Sequence, residues 1–327
     1  MSSIITAGFT LGGIAAGAAE PPLPSARMAH TYSIVARDPV TGDLGVAVQS
    51  HWFSVGAVVA WAEPGVGAVA TQSIVDVSYG PLGLDLMRAG KSSDEALRAL
   101  LAGDATPGVR QVAMVDARGR IAAHTGEKCI PAAGHATGDG FSCQANLMRS
   151  DAIWPAMARA FQDAKGELAL RLLAALDAAE KAGGDIRGHQ SAAIKIVRGA
   201  SSGKPWADTL YDLRVEDSAD PLAELRRLVR LQSAYRHAGQ GDDFMALGKI
   251  DEALGEYAES ARIAPEIEEL PFWQAVTLAG SGRVDEALPI FRAVFAKNGD
   301  YRELLKRLPA AGLFPDDPKL LARVLAP

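Results

Sequence analysis

The pattern of apolar and polar positions divides the chain into two parts with different periods. Between residues 31 and 216, short apolar-rich runs separated by turn residues predict strands, with a few helices between them. The runs at 31–37 and 44–50 are joined by the turn-rich segment DPVTGD, which predicts a first hairpin. Residues 220–327 show a helical pattern throughout. We therefore expect a domain of sheets and helices followed by an all-α domain.

Further hairpins and helices follow within the first part. AVVAWAEPGVGAVATQS and QVAMVDARGRIAAHTG each predict two strands around a central turn. Ser92 followed by Glu95 is the capping-box pattern that begins a helix, and residues 151–182 carry apolar positions that predict two more helices. The strand pattern returns at 190–197 and 212–217. Hairpins, a helical pair and then strands again predict an α+β domain whose helices cover sheet faces.

The all-α part contains an internal repeat. GKIDEALGEYAESA at 248–261 aligns with GRVDEALPIFRAVF at 282–295, an offset of 34 residues. That period, with small and aromatic residues in register, is typical of tetratricopeptide repeats, in which helical hairpins stack. Because a free-standing array needs about three units, we expect the segments 220–237 and 300–325 to cap the pair, or the pair to lean on the first domain. Such arrays commonly hold a protein partner.

Composition and charge exclude several classes of protein. The formal net charge is −6 and no Lys/Arg block is longer than a pair, which argues against a partner that is nucleic acid or an anionic membrane surface. Cys129 and Cys143 form no CxxC motif, and we expect two reduced thiols rather than a disulfide. No His-rich motif has metal-ligand spacing. We expect neither a metal nor a cofactor.

The first thirty residues form a Gly- and Ala-rich leader that has two interpretations. MSSIITAGFTLGGIAAGAAE contains an apolar run with small residues near its end, as a signal peptide does, but no Lys or Arg precedes that run. Met28 is an alternative start of the chain. We expect a cytoplasmic protein, with export as the alternative if residues 1–30 are a signal peptide.

Six blocks in order across residues 31–216 resemble a bacterial family of unknown function, DUF1028. The blocks are TYSIVARDPVTGDLGVAVQS, GVGAVATQS, YGPLGLDLM, AAHTGEKC, GFSCQANLM and GGDIRGHQSAAI. The family is grouped by fold with the N-terminal-nucleophile (Ntn) hydrolases. The resemblance therefore implies a four-layer αββα sandwich, with which the pattern of strands and helices is compatible.

The chemistry that the resemblance implies centres on Thr31, at the start of the first strand of the matched region. In Ntn hydrolases the first residue of the mature chain is the nucleophile, and its free α-amine, with a pKa of about 7.7–8, is the base. Many relatives resemble a chain that begins Met-Thr-aromatic-Ser, whereas Thr31 here follows Ala29 and His30. The amine is free only if the His30–Thr31 bond is cut. If the bond stays intact, Thr31 and Ser33 are strand residues whose hydroxyls are satisfied by neighbours.

The other candidate site residues lie in the same blocks. Asn146 is a suitable donor to an oxyanion, with a helix N-cap as the alternative role. Asp185 and Arg187 are catalytic candidates; Arg187 could clamp a substrate carboxylate, or the two could form a structural ion pair. His135 is expected in a glycine-rich loop. Seven further residues are expected to bind substrate: Ser33, Ser50, His51, Gln72, His124, Gln144 and Gln190.

The segment from Thr31 to Lys91 contains no internal lysine, and Arg37 is its early basic residue on the face of Thr31. A site of this kind resembles the simpler amidases rather than the proteasome. The sequence thus predicts hydrolysis of a small amide or related C–N bond. One alternative is a catalytically silent Ntn-like scaffold; another is an enzyme that uses side chains such as His124, Asp185 and Arg187 without a terminal nucleophile. Sheet-edge pairing makes a homodimer plausible.

Overall fold

The computed structural model describes residues 27–326, so the expected leader falls outside the described residues except for its last four. Within the described residues, eleven strands form two antiparallel sheets. The strands are β1 (Arg27–Ala29), β2 (Thr31–Arg37), β3 (Leu44–Ser50), β4 (Ala60–Glu63), β5 (Gly67–Val75), β6 (Arg110–Asp116), β7 (Ile121–Thr125), β8 (Gly134–Gly138), β9 (Phe141–Ala145), β10 (Ser191–Val197) and β11 (Thr209–Val215).

The helices cover these sheets and then continue alone toward the C-terminus. They are α1 (Gly56–Val59), α2 (Tyr79–Arg88), α3 (Ser93–Gly103), α4 (Ile153–Asp163), α5 (Leu168–Lys181), α6 (Pro205–Asp208), α7 (Pro221–Ala246), α8 (Ile250–Ile263), α9 (Glu269–Gly280), α10 (Val284–Lys297), α11 (Asp300–Arg307) and α12 (Pro318–Leu325). None of the helices described is long and apolar enough to cross a membrane.

Sheet I has the strand order β1-β5-β6-β7, and β4 pairs with the same edge of β5 as β1 does. Sheet II has the order β11-β10-β3-β2-β9-β8. The chain therefore leaves sheet I at the end of β1 and enters sheet II at the start of β2. His30 is the one residue between the two strands.

Three apolar cores separate four layers, because alternate residues of a strand point to opposite faces. Val35 and Ala113 pack between the two sheets. On the other face of sheet II, Ile34 packs against α4 and α5 through residues such as Phe161. On the outer face of sheet I, Met114 packs with α2 and α3. The order of layers is helices, sheet I, sheet II, helices, which is the expected α+β class with αββα layers.

Local patterns predicted most elements closely. β2 and β3 have the predicted bounds, and the capping box of Ser92 and Glu95 begins α3. Two expectations are wrong. His135 lies in β8 rather than in a loop, because the sequence GHATG has low strand propensity and forms an edge strand paired only with β9. Asn146 caps no helix, since α4 begins only at Ile153.

Helix α7 joins the sandwich to the C-terminal helices. Its first half contributes Leu222 and Val229 to the core beneath sheet II, and the helix also packs along α8. The two aligned repeat segments form α8 and α10, and the tail helices place Leu305 and Val324 in the core around α10. As expected from the sequence, the segments before and after the repeat pack against it.

Candidate functional site

The space between the two sheets is apolar along most of its length and polar at one end. The polar side chains there come from five neighbouring strands and from the residue directly after β9, and they are at most 1% exposed. They are Thr31, Ser33, Ser50, Gln72, Gln111, Ser142, Gln144 and Asn146, which we call the polar cluster. Alternation places Thr31 and Ser33 on the face of β2 that looks toward sheet I. Because a buried polar group without a partner is costly, the hydrogen bonds of the cluster decide its geometry.

Amide side chains link the two sheets within the polar cluster. The Ser33 hydroxyl donates to Gln72 Oε1 and accepts from Gln144 Nε2, each at 2.6 Å. Gln72 Nε2 in turn donates to Gln111 Oε1 at 2.7 Å, and Asn146 Nδ2 donates to the same oxygen at 2.8 Å. Each amide therefore has one orientation fixed by its neighbours.

The carbonyl of His30 lies where the chain crosses between the sheets. Its oxygen accepts hydrogen bonds from Ser50 Oγ at 2.6 Å and from Arg187 Nη2 at 2.7 Å. Asp185, whose side chain is fully buried, holds Arg187 by two contacts, Nε to Oδ1 at 3.0 Å and Nη2 to Oδ2 at 2.6 Å. Two donors on one oxygen, one of them charged, are the arrangement that stabilises negative charge developing on that oxygen.

The hydroxyl of Thr31 points back toward the leader. Its Oγ1 donates to the carbonyl of Ala29 at 2.6 Å. The Thr31 carbonyl is fixed by the backbone N–H of Asn146 at 3.1 Å and by Gln72 Nε2 at 3.2 Å. The nitrogen of Thr31 is part of the His30–Thr31 peptide bond in this chain. The candidate nucleophile is thus positioned and fully buried, but it carries no free amine.

The imidazole of His30 is enclosed by the site. Its Nδ1 lies 2.7 Å from Asn146 Oδ1. Because the Asn146 amide nitrogen is directed at Gln111, Oδ1 is the acceptor and Nδ1 carries the proton. The other ring nitrogen, Nε2, is buried without a partner. Burial lowers the pKa of His30, Arg187 lowers it further, and Asn146 and Asp185 offset only part of the effect. A neutral ring is favoured.

Two segments that are hydrogen-bonded to each other, the loop before β10 and the end of β9, hold Asp185 and Arg187 in place. Gly184 and Gly188 adopt positive φ values of 59° and 105°, which glycine tolerates, and so turn the chain on either side of the pair. The N–H of Ile186 donates to the carbonyl of Leu147 at 3.2 Å, directly after Asn146. The loop before β10 and the end of β9 are therefore one hydrogen-bonded unit.

The structure brings together eight of the residues expected at the site. They are Thr31, Ser33, Ser50, Gln72, Gln144, Asn146, Asp185 and Arg187. Asn146 differs from the expectation in detail, because its amide donates to Gln111 while Ser50 and Arg187 donate to the His30 carbonyl.

Three other expected residues do not join the polar cluster. His124 faces the helix side of sheet I, where its Nε2 lies 2.9 Å from the carbonyl of Pro107. The amide of Gln190 donates to Asp217 at 3.0 Å near the surface. His51 is exposed and lies beside Gly188, at the rim of the site.

Sequence reasoning missed two residues that the structure places at the centre, His30 and Gln111. Gln111 had a detectable signal, since it is the single amide of its strand and directly precedes the apolar run VAMV, and Gln72 is likewise the single amide of its strand. His30 had none, because its role depends on the crossing between sheets.

Comparison with known proteins decides the family. Residues 31–225, more than half of the chain, match the family described as "Family of unknown function (DUF1028)". The chain belongs to the DUF1028 family. A crystal structure from Silicibacter pomeroyi, of the DUF1028 protein SPO2555, is similar, with 28% sequence identity and a TM-score of 0.56. The similarity covers 62% of this chain and 88% of the other. No curated protein matches.

Among residues 27–326, no group of three or more His, Cys, Asp or Glu side chains is arranged to hold a metal ion. The two cysteines are separate, buried thiols. The described site contains hydroxyl, amide, imidazole and guanidinium groups and the carboxylate of Asp185.

Proposed function

We propose that this protein is an N-terminal-nucleophile hydrolase that cuts its own His30–Thr31 bond and then hydrolyses an amide or related C–N bond. One observation carries the proposal. The carbonyl oxygen of His30 accepts from both Ser50 and Arg187, and this carbonyl belongs to the residue directly before the Thr31 hydroxyl. An ordinary peptide carbonyl in a buried connection needs only one partner.

Self-cleavage would begin with attack of Thr31 Oγ1 on the carbonyl carbon of His30. The negative charge forms on the oxygen that Ser50 and Arg187 hold. The C–N bond then breaks, the nitrogen takes the proton from the hydroxyl, and an ester joins His30 to Thr31 Oγ1. Water hydrolyses this ester, so that the leader leaves with a carboxylic acid at His30 and the chain begins with a free amine at Thr31.

The same groups then act in the hydrolysis of a separate substrate molecule. The free α-amine of Thr31 takes the hydroxyl proton, since an amine of this type is partly neutral near pH 7.5. Ser50 and Arg187 hold the substrate carbonyl, and Asp185 orients Arg187. Asn146 acts as a positioning residue, because its backbone N–H fixes the Thr31 carbonyl and its side chain is committed to Gln111 and His30.

A second candidate is a binding protein in which the His30–Thr31 bond stays intact. The observation that favours it is the complete burial of Thr31, whose hydroxyl already has a partner in the Ala29 carbonyl. In that case the polar cluster is structural and the tetratricopeptide-like helices recruit a protein partner. A third alternative, catalysis by internal side chains including His124, is weakened because His124 faces away from Asp185 and Arg187.

Intact mass and N-terminal sequencing of the full-length protein test the proposal. We expect the wild-type chain to begin at Thr31, Thr31→Ser to be cleaved at the same bond, and Thr31→Ala to keep the leader because it has no nucleophile. His124→Gln is the matched control and should be cleaved like wild type. A wild-type chain that keeps Ala29 and His30, or a Thr31→Ala chain that is cleaved at the same bond, would contradict the proposal.

A further inference from the structure

Residues 27–30 lie on the acyl side of the His30–Thr31 bond that Thr31 is proposed to attack. After the leader has left, the acyl part of a substrate must occupy the same place. We infer that this place is a strand-addition site and that the substrate is an extended peptide, cleaved after a residue that takes the position of His30. The inference rests on the proposed function and deepens it by naming the substrate class. It differs from the expectation of a small amide.

The last residues of the leader form the strand β1, Arg27–Ala29. β1 pairs antiparallel with the edge of β5, with Arg27 opposite Val75 and Ala29 opposite Ser73. The other half of the same edge is covered by β4, which stays in place. Removal of β1 would therefore free a short, bounded segment of edge. Unpaired strand edges bind extended peptides through main-chain hydrogen bonds.

This segment of the β5 edge is held in place by contacts with residues outside the leader. Arg110 Nη1 donates to the carbonyl of Ile74 at 2.6 Å, and a buried ion pair with Asp104 at 2.7 Å holds Arg110. Ser73, although not a glycine, has a φ of 74°, a left-handed conformation that persists only where the surroundings impose it. The edge is thus held in its shape by groups outside the leader.

Two positions of the leader fit closely. Ala29 is fully buried and belongs to the core between the sheets, so a small residue fits there. His30 is 2% exposed and its Nδ1 donates to Asn146 Oδ1, so the next position suits a side chain with an N–H donor. The carbonyl oxygen of a compact amide could accept hydrogen bonds from Ser50 and Arg187. Such a substrate would leave the Ala29 position and the β5 edge empty.

Binding of a labelled peptide tests the inference. The probe is SARMAH, the sequence of residues 25–30, with a label at its N-terminus and an amide at its C-terminus. The protein is the processed full chain and, in parallel, a chain whose translation begins at Met-Thr31, from which the initiator Met is removed. Apart from β1, all described strands and helices lie within residues 31–326, and thermal unfolding checks that this chain is folded.

Backbone methylation separates strand addition from side-chain recognition. In an antiparallel pair, alternate residues direct their N–H toward the neighbouring strand. We therefore expect N-methylation at one of the two positions, Met or Ala, to weaken binding at least about tenfold, while methylation at the other changes it less than about twofold. Replacing the His of the peptide by Ala should weaken binding to wild type but not to Asn146→Ala.

The experiment distinguishes a failure of this inference from a failure of the proposed function. If the processed chain hydrolyses compact amides such as glutamine but the peptide does not bind, the inference is wrong and the hydrolase stands. If the peptide binds with the expected methylation pattern and no C–N bond is hydrolysed, the strand site stands and the proposed function fails. Equal binding of both methylated peptides, or no binding to the chain that begins at Thr31, would overturn the strand site.

Discussion

The sandwich and the C-terminal helices differ in what they bury. In the described part of the sandwich, polar side chains such as Gln72, Gln111 and Asp185 are almost completely buried. From α7 onward, Ser260 is the one buried polar side chain among the described residues, and the core is formed by residues such as Phe272. Burying polar groups is unfavourable unless they are bonded to one another. The contrast shows that the described sandwich, unlike the described helices, contains a hydrogen-bonded polar network in its interior.

The charges of the two regions differ in the same way. In the helices, ion pairs such as Arg262 with Glu259 lie on the surface within one turn, where each contributes little to stability. At the site, the side chain of Asp185 has no exposure and its partner Arg187 also reaches the His30 carbonyl. This pair thus combines a fully buried carboxylate with a contact to the carbonyl that precedes Thr31.

The largest effect on stability is expected in the helical core, without an effect on cleavage. Phe291 is fully buried and packs against Phe272 and Phe295. Phe291→Ala should lower the free energy of unfolding by about 3–5 kcal/mol, because it removes contacts and leaves a cavity. Urea unfolding measures the loss, and intact mass should show the same start of the chain as in wild type. A defect in cleavage by the folded variant would mean that the two regions are coupled.

The next largest effect concerns the two donors to the His30 carbonyl. Ser50→Ala and Arg187→Met should each slow cleavage of the His30–Thr31 bond about 10²–10³-fold, which is the usual loss for one oxyanion donor. The time course is followed by mass spectrometry after synthesis in vitro. Ser142→Ala is the matched control, since that hydroxyl lies on the same face but donates to Gln144 at 3.0 Å. Equal slowing in all three variants would indicate a general packing defect instead.

A smaller effect is expected from pH. The pKa of His30 is lowered by burial in the folded, uncleaved chain, whereas its ordinary value is 6.5. The unfolded chain therefore binds a proton more readily, and the stability that the neutral ring contributes is present above pH 6.5 and is lost as the pH falls below it. Thr31→Ala, which is expected to keep the leader, should lose stability between pH 7.5 and 5.5 more steeply than Thr31→Ala with His30→Gln. Parallel urea midpoints for the two proteins would exclude this role of His30.

The smallest expected effect is at the strained residue of β5. Ser73 is buried and has a φ of 74°. Ser73→Gly should raise the free energy of unfolding by no more than about 1 kcal/mol, because glycine adopts this conformation readily. Ser73→Ala is the matched control and should not be stabilising. Thermal unfolding compares the two, and a loss of stability in Ser73→Gly would show that the hydroxyl has a role that its contacts do not reveal.

Much of the fold followed from local patterns. The strands β2 and β3, the break between α4 and α5 and the repeat in α8 and α10 were predictable, because alternation, capping and periodicity act over a few residues. The strand β8 was not, because its glycines give it little propensity and pairing with β9 decides it. Of the site, residue types on one face of a strand were predictable, and their partners on other strands were not.

The sequence by itself determined that Thr31 and Ser33 share a face, and its six blocks indicated the family. Only the tertiary structure decided which groups meet at the His30 carbonyl. The register places Thr31 opposite Ser50, and Ser50 opposite Ser191 at the start of β10, so that the loop with Arg187 arrives at the beginning of β2. Register depends on the pairing of whole strands far apart in sequence. No short stretch of residues contains that information.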